Sequence, residues 1–491
     1  MGTIGHVFVL MLENRSFDHM LGFSGIAGKD AATGQATQLR GLQGNESNVW
    51  QGKNFAVSPS ATFTMTVGPG HEFPDVLEQL AGVGATYPSR GQYPPINDSG
   101  YAANYASAAA QANPQEAMNC FSPAQLPVLT ALAKSFAVCD GWCCSLPGPT
   151  WPNRFFLLGG SSGGLDHSPT TAEMAEWEAV FGFRFENGSI FDEKLRWKIY
   201  AGGDLCMAHA LKGIHFTNIT PYSEFAGDVG DPNYPAQFTL IEPNYGHVAS
   251  DYKGGTSQHP LDDVTSGEAF IKATYEAIRN SPIWNSSLLI LTWDEHGGFY
   301  DHGMPAAATD PGDAPNSKLN QSGFTFEQYG PRVPAVIVSP LIPAGLIDHR
   351  TYDHTSVLAT MESLFGLAAL TKRDASASTL LSLTSLSSAR GDAPTSLPEP
   401  AKAPAAAMAM DAAQMALPGP PATRPLESMY SDPNMPGFAY LAMRNDLDLS
   451  PPQQRASIIA RFQGLRTRDD VRQYIEEVRP RIRAARTSKR S

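Results

Sequence analysis

Two apolar runs, each ending abruptly in acidic residues, constrain this chain more than any other feature. The first, His6-Val-Phe-Val-Leu-Met-Leu12, runs straight into Glu13-Asn14-Arg15, and the second, Ser287 to Trp293, into Asp294-Glu295-His296-Gly297-Gly298. Short runs rich in β-formers, without polar alternation, read as strands covered on both faces, the habit of a parallel sheet. In such sheets ligands bind beyond the carboxyl ends of the strands, so the residues at those two ends are expected to carry chemistry.

A third run, Val333 to Val338, reads as another buried strand. The stretch Gly267 to Asn280 has apolar residues at helical spacing and stops at Ser281-Pro282, and Asp353 to Phe365 reads as a helix broken by Gly366. Strand, helix and strand in alternation predict an α/β fold, a mostly parallel sheet with helices on both faces. Ser24 to Gln115 and Ser161 to Ala236, rich in Gly, Asn, Ser and Pro, read as insertions that cap a site rather than as sheet. From Gly391 to Pro425 the composition shifts to Ala, Pro and Met, which is linker composition. Asp446 to Arg486 reads as two short helices, the second amphipathic around Val471, Tyr474, Ile475 and Val478. The expected organisation is a catalytic domain over 1–390, a linker over 391–425 and a basic helical C-terminal extension over 426–491.

Over 491 residues, 35 basic against 48 acidic side chains give a formal charge of -13, which argues against a general nucleic-acid binder. Pro451 to Ser491 reverses the sign, with ten Arg and one Lys against two Asp and two Glu. Such a tail either touches anionic lipid head groups, as a peripheral membrane contact, or folds back onto the acidic body. No apolar run is long enough for a membrane span. No basic leader, twin Arg or cleavage site precedes the first run, so the chain is expected to stay in the cytoplasm, to leave without a cleaved signal, or to have lost one. Five cysteines, two of them adjacent, exclude a full disulfide framework and lack zinc spacing, and read as buried small hydrophobes. The sequence is silent on oligomeric state.

Glu13, Asn14, Asp294 and Glu295 supply hard oxygen donors from two strand ends, enough to surround one divalent cation, whether Ca²⁺, Mg²⁺, Mn²⁺ or Zn²⁺. The alternative is that each carboxylate caps a turn. A nucleophile is offered by Ser145-Leu-Pro-Gly-Pro-Thr150-Trp-Pro-Asn-Arg154, where the prolines fix a tight loop and place Thr150 at a helix start. Unpaired amides there favour an alkoxide or a phosphate, and a hydroxyl touching a metal is activated for attack. A plain N-cap is the rival reading. Arg154 is a candidate phosphate clamp or, alternatively, one half of an ion pair. His71, His259, His296 and His354 sit in polar, turn-rich contexts and are candidates for proton transfer or for hydrogen-bonded turns. Asn153 and Trp151 are assigned to substrate contact. Trp142, Trp151 and Trp177 either cage an ammonium head group or pack in the core.

Glu13-Asn-Arg-Ser-Phe-Asp-His-Met-Leu-Gly22, Pro147-Gly-Pro-Thr-Trp-Pro-Asn-Arg154, Ile241-Glu-Pro243, Gln258-His-Pro260, Thr292 to His302 and Asp353-His-Thr-Ser356 together resemble the bacterial phospholipase C and acid phosphatase family of phosphoesterases. The resemblance spans Gly5 to Leu367. It implies an alkaline-phosphatase-like core, a metal held at Glu13, Asn14, Asp294 and Glu295, and a covalent phosphoenzyme on Thr150. Phospholipase C members of that family tend to carry Thr at this position and phosphatases Ser, so Thr150 points to phosphodiester cleavage of a phosphocholine-type lipid. The rivals are a phosphomonoesterase with the same site, and a scaffold that only binds phosphate or lipid. The segment around His71 lacks the Asp that family members often carry before the Pro.

Overall fold

The computed structural model describes residues 3–109, 112–248, 252–313, 318–402 and 433–488. Twelve strands run in chain order as β1 (His6–Leu12), β2 (Ala27–Asp30), β3 (Ala36–Gln38), β4 (Ser47–Trp50), β5 (Lys53–Ala56), β6 (Ala137–Cys139), β7 (Trp197–Ala201), β8 (Ile219–Pro221), β9 (Phe238–Glu242), β10 (Ser287–Trp293), β11 (Ala335–Val338) and β12 (Leu346–Asp348). Ten of them form one sheet in the order β3-β2-β12-β6-β11-β10-β1-β9-β7-β8, and β4 and β5 pair separately. The sheet is mostly parallel: β11 opposes both its neighbours, β10 and β6, and β3 opposes β2. Helices flank it, and Thr150–Gly159 packs against Thr355–Phe365.

The two apolar runs are the centre of this sheet. They pair in parallel from His6 opposite Ser287 to Leu12 opposite Trp293, so both strands end in the same row. Every residue of β9 and β10 is buried, as is β1 beyond His6. With side chains covered on both sides, no polar alternation survives in the sequence.

The two presumed insertions contribute strands after all. β7 and β8, inside 161–236, extend the sheet beyond β9, and β2 and β3, inside 24–115, form its other edge. Edge strands of three to five residues such as Ala-Gly-Lys-Asp carry no apolar run, so their pattern is that of a loop.

The C-terminal region also differs. Among the described residues the two helices expected within 446–486 are present as Arg455–Gly464 and Arg468–Ser488, and a further α-helix, Met435–Asp448, comes before them; of these, the unexpected one is the first in the chain. The first is buried from Met435 through Asp446 and therefore lacks an amphipathic period. Buried Glu178 fastens this bundle to the sheet domain, accepting from Tyr440 Oη and Arg444 Nη1 at 3.2 Å and from Arg455 Nη2 at 2.5 Å. Of the expected linker, 403–425 lies outside the described residues. Residues 391–402 lie along the helix Val264–Arg279: Arg279 donates to the Ala393 carbonyl, Lys272 donates to that of Leu397 at 2.7 Å, and Leu397 is buried. All five cysteines are free and buried. No helix among the described residues is long and apolar enough to cross a membrane.

Candidate active site

Because β1 and β10 end together, Glu13-Asn14 and Asp294-Glu295 emerge side by side, all four fully buried. The backbone turns sharply here. Asn14 takes a φ of 57°, a left-handed conformation that Asn tolerates, and its amide donates to Asp294 Oδ1 at 3.0 Å. Its side-chain amide donates to Glu295 Oε1. Gly297, at φ 67°, lies so close to Asn14 that an added Cβ would sit 2.1 Å from the Asn14 carbonyl, which is why the acidic pair is followed by glycine.

The helix Thr150–Gly159 brings two residues to this turn. Pro149 precedes it in extended conformation, leaving Thr150 at the first position, where amides lack intrahelical partners. One turn later, buried Arg154 donates from Nε to Asp294 Oδ2 at 3.0 Å and from Nη2 to the Leu12 carbonyl at 3.1 Å. Its guanidinium lies 5.6 Å from the ring centre of Tyr245.

Three oxygens here are buried without a hydrogen-bond partner: Glu13 Oε2, Asn14 Oδ1 and Thr150 Oγ1. Burying polar oxygens unpaired is costly, which singles these three out among the residues at this turn and at the start of the helix that reaches it. Asp294 and Glu295, by contrast, have their carboxylates committed to protein donors, Asp294 to Arg154 and two amides, Glu295 to Asn14 and to Gly297 N at 2.7 Å. Among the described residues no group of three His, Cys, Asp or Glu side chains stands at metal-ligand spacing. Burial raises the pKa of Glu13, with Arg154 opposing and the charges of Asp294 and Glu295 adding to it; burial likewise raises that of Asp294 against Arg154. One guanidinium does not neutralise this group of carboxylates.

The four histidines divide by what their ring nitrogens do. His354 accepts from Trp142 Nε1 at 3.3 Å through Nδ1 and donates from Nε2 to the Asp294 carbonyl at 2.6 Å; burial pushes its pKa down to about 4. Both nitrogens are engaged, so His354 here holds the acidic turn, the second of the two roles its motif offers. His296 is held on one side only, with Nε2 on Gln79 Oε1 at 2.7 Å, while Nδ1, 3.3 Å from Glu295 Oε2, is buried without a hydrogen-bond partner. His259 is different: its Nδ1 accepts from Leu261 N at 3.3 Å, which puts the proton on Nε2, and its ring stacks on Tyr252 at 3.8 Å and 11°. Burial, followed by the charges of His71 and Arg15, holds its pKa well down. His71 donates from Nδ1 to the Pro69 carbonyl at 3.1 Å and places Nε2 3.4 Å from Asn14 Nδ2. Burial lowers its pKa, but the carboxylates of Glu295 and Glu72 outweigh this and raise it.

Asn153 and Trp151, the candidates for substrate contact, are both buried. Asn153 accepts from Leu146 N and donates to the Leu146, Gly148 and Pro149 carbonyls, closing the loop before Thr150. Trp151 is fully buried against Gly437, and Trp142 and Trp177 also pack inside. Sequence reasoning missed Ser257, which bonds Glu13 through its side chain and its carbonyl, and Tyr245 and Tyr252, which support Arg154 and His259. The available signal was Ile241-Glu-Pro243, an acidic strand end just before Tyr245. Glu242 itself is structural, accepting from the Met207 and Ala208 amides and from Tyr245 Oη.

The pattern of the Phosphoesterase family matches residues 4–368, which contain every residue of this centre. The chain belongs to that family. Among its relatives, the non-specific phospholipase C6 of Arabidopsis thaliana is 34% identical over 80% of this chain and 74% of the relative. The non-specific phospholipase C3 of the same plant is 31% identical over 80% and 76%. Phospholipase C B of Mycobacterium tuberculosis is 27% identical over 74% of each. Among solved structures, a protein of the alkaline phosphatase superfamily from Vibrio parahaemolyticus overlaps 52% of this chain and 64% of its own at 13% identity and a TM-score of 0.32. As a Phosphoesterase family member with these relatives, the chain is a hydrolase acting on phosphoester bonds. The helices from Met435 onward lie outside the family region.

Proposed function

We propose that the chain is a phospholipase C-type enzyme that cleaves a phospholipid phosphodiester through a covalent intermediate on Thr150. The observation that carries this is Thr150 Oγ1, buried and without a hydrogen-bond partner, at the start of the helix whose Arg154 grips Asp294. A hydroxyl left unpaired in the interior is exposed to strong polarisation and free to move toward phosphorus. The open oxygens of Glu13, Asn14 and Thr150, with Asp294 and Glu295 behind them, fit a divalent cation in donor type and in charge. Bound there, it would acidify the Thr150 hydroxyl and offset charge on the transferring group.

The chain's own residues then divide the work. Thr150 Oγ1 forms the bond to phosphorus while the bond to the diacylglycerol oxygen breaks. His259, neutral with its hydrogen on Nε2, donates a hydrogen bond to that oxygen while water takes up the Thr150 proton and supplies one to the leaving oxygen, and water later hydrolyses the phosphothreonine. Arg154 fixes Asp294 and adds positive charge beside the phosphoryl oxygens. The Arabidopsis and Mycobacterium relatives, phospholipases C by name, support a lipid diester over a monoester. The test is turnover of p-nitrophenyl phosphorylcholine and p-nitrophenyl phosphate by the wild type, Thr150→Ala and Thr150→Ser. Expected are a preference for the diester, a loss of about 10⁴-fold in kcat for Thr150→Ala, and partial retention for Thr150→Ser. A Thr150→Ala enzyme near wild-type rate removes the nucleophile, and a monoester preference removes the lipase reading.

A further inference from the structure

The last helix, Arg468–Ser488, places Arg479, Arg483 and Arg486 along one stripe, four and three residues apart. All three converge on one carboxylate, Asp204: Arg479 Nε at 3.0 Å, Arg483 Nη2 at 3.1 Å and Arg486 Nη1 at 3.6 Å. They line a cavity of about 290 Å³ together with Gly202, Asn244 and Gly246. These loop residues follow the carboxyl ends of β7 and β9, the same edge of the sheet that carries the catalytic centre. The cavity is connected to that centre through the chain itself, since Asn244 precedes Tyr245, whose ring lies beneath Arg154.

Three guanidiniums against Asp204, with the Glu224 carboxylate near enough to act on Arg486, leave an excess of positive charge in an open, glycine-lined space. A guanidinium carries five donors, and Asp204, at 12% exposure, and the Gly203 carbonyl occupy only part of them. The remaining donors point to an anionic acceptor with several oxygens. Carboxylates and phosphodiesters carry one charge each, whereas a phosphomonoester carries nearly two and matches the fork geometry of arginine.

We infer that this cavity is a second anion site, separate from the Thr150 centre, which takes a phosphomonoester group, either free in solution or on a lipid head group. Asp204 is then the internal anion that keeps the three arginines assembled until the phosphate arrives and competes with it.

The test uses the full chain and inorganic phosphate as probe, by isothermal titration. The wild type is expected to show two sites, one at the catalytic centre and one here. Arg479→Gln/Arg483→Gln should weaken the second site about tenfold or more while leaving turnover of soluble p-nitrophenyl phosphorylcholine unchanged. Asp204→Asn should tighten that same site several-fold, a gain that misfolding cannot imitate. Co-sedimentation with phosphatidylcholine vesicles containing phosphatidic acid separates the two sources: capture that is lost in the arginine variant assigns the site to lipid, and no capture assigns it to free phosphate. A single-site isotherm in the wild type, or Asp204→Asn binding phosphate no more tightly, overturns the proposal. Neither result touches the Thr150 reading, which rests on turnover.

Discussion

Two stretches of one sheet edge carry opposite electrostatic arrangements. At the ends of β1 and β10, the buried carboxylates of Glu13, Asp294 and Glu295 face a single guanidinium, Arg154. Two strands from β1, at the end of β7, the guanidiniums of Arg479, Arg483 and Arg486 face a single carboxylate, Asp204. An uncompensated buried charge costs several kcal/mol, which applies to the enclosed carboxylates, whereas the arginines are partly in water and their excess charge is cheaper. The acid-rich end is suited to a cation and the arginine-rich end to an anion. The two also differ in depth, for the carboxylates are wholly enclosed while the Arg483 side chain is 66% exposed.

The largest test of this contrast breaks the acid-rich end. Asp294→Ala removes a negative charge behind the proposed cation site and the anchor of Arg154 together. The kcat on p-nitrophenyl phosphorylcholine should fall about 10³-fold or more, whereas the same rate should survive loss of the arginine stripe. Comparable losses in both would show that the two ends are one site.

The next effect is on stability and concerns what holds the arginine-rich end in place. Arg444 is 4% exposed and donates to Glu178, Phe181, His209 and Ile214, so Arg444→Met leaves Glu178 buried with less compensation. A loss of about 4 kcal/mol in urea unfolding is expected. Phe438, on the same buried helix, packs against Tyr245 and Tyr252 at 5.5 and 6.1 Å, and these in turn support Arg154 and His259. Phe438→Ala should cost about 3 kcal/mol and lower kcat more than it raises KM, because the support of a hydrogen-bond donor is loosened and no substrate contact is removed. An unchanged kcat would limit the C-terminal bundle to stability alone.

How much of this was legible follows from which forces write themselves into sequence. A doubly covered strand must be apolar throughout and its end must turn polar, so β1 and β10 and their acidic ends stand out. The arginine-rich tail was legible as charge, but its convergence on Asp204 depends on a contact across 279 positions for Arg483, which no local pattern carries. Roles of histidines were harder. His354 and His259 sit in equally polar motifs, and only the partner of each ring nitrogen separates the one that braces a carbonyl from the one with a free donor. Asn153 looked like a binding residue because a carboxamide closing a Pro-Gly-Pro loop and one reaching for substrate have the same local sequence. The helix Met435–Asp448 was invisible because burial on all sides erases the amphipathic period.

The smallest effect separates these two ends from a cluster whose cation is already paired within the fold. His167 lies between Asp166 at 2.9 Å and Glu173 at 3.0 Å and is 13% exposed. Burial lowers its pKa, but the hydrogen bonds to Asp166 and Glu173 and their charges outweigh this and raise it from 6.5 to about 9. A histidine whose folded pKa is raised contributes stability that is complete below pH 6.5 and is lost as the pH climbs through 9. About 2 kcal/mol should therefore disappear across that window, read as the difference in urea midpoint between wild type and His167→Gln at each pH. Taking the difference cancels the other buried acids, such as Glu268, whose raised pKa near 7 gives a slope of the same sign. Here the cation already sits between its two carboxylates, so adding divalent metal or phosphate should leave this slope unchanged. A slope that moved with either ligand would mean that the cluster is electrostatically tied to one of the two ends.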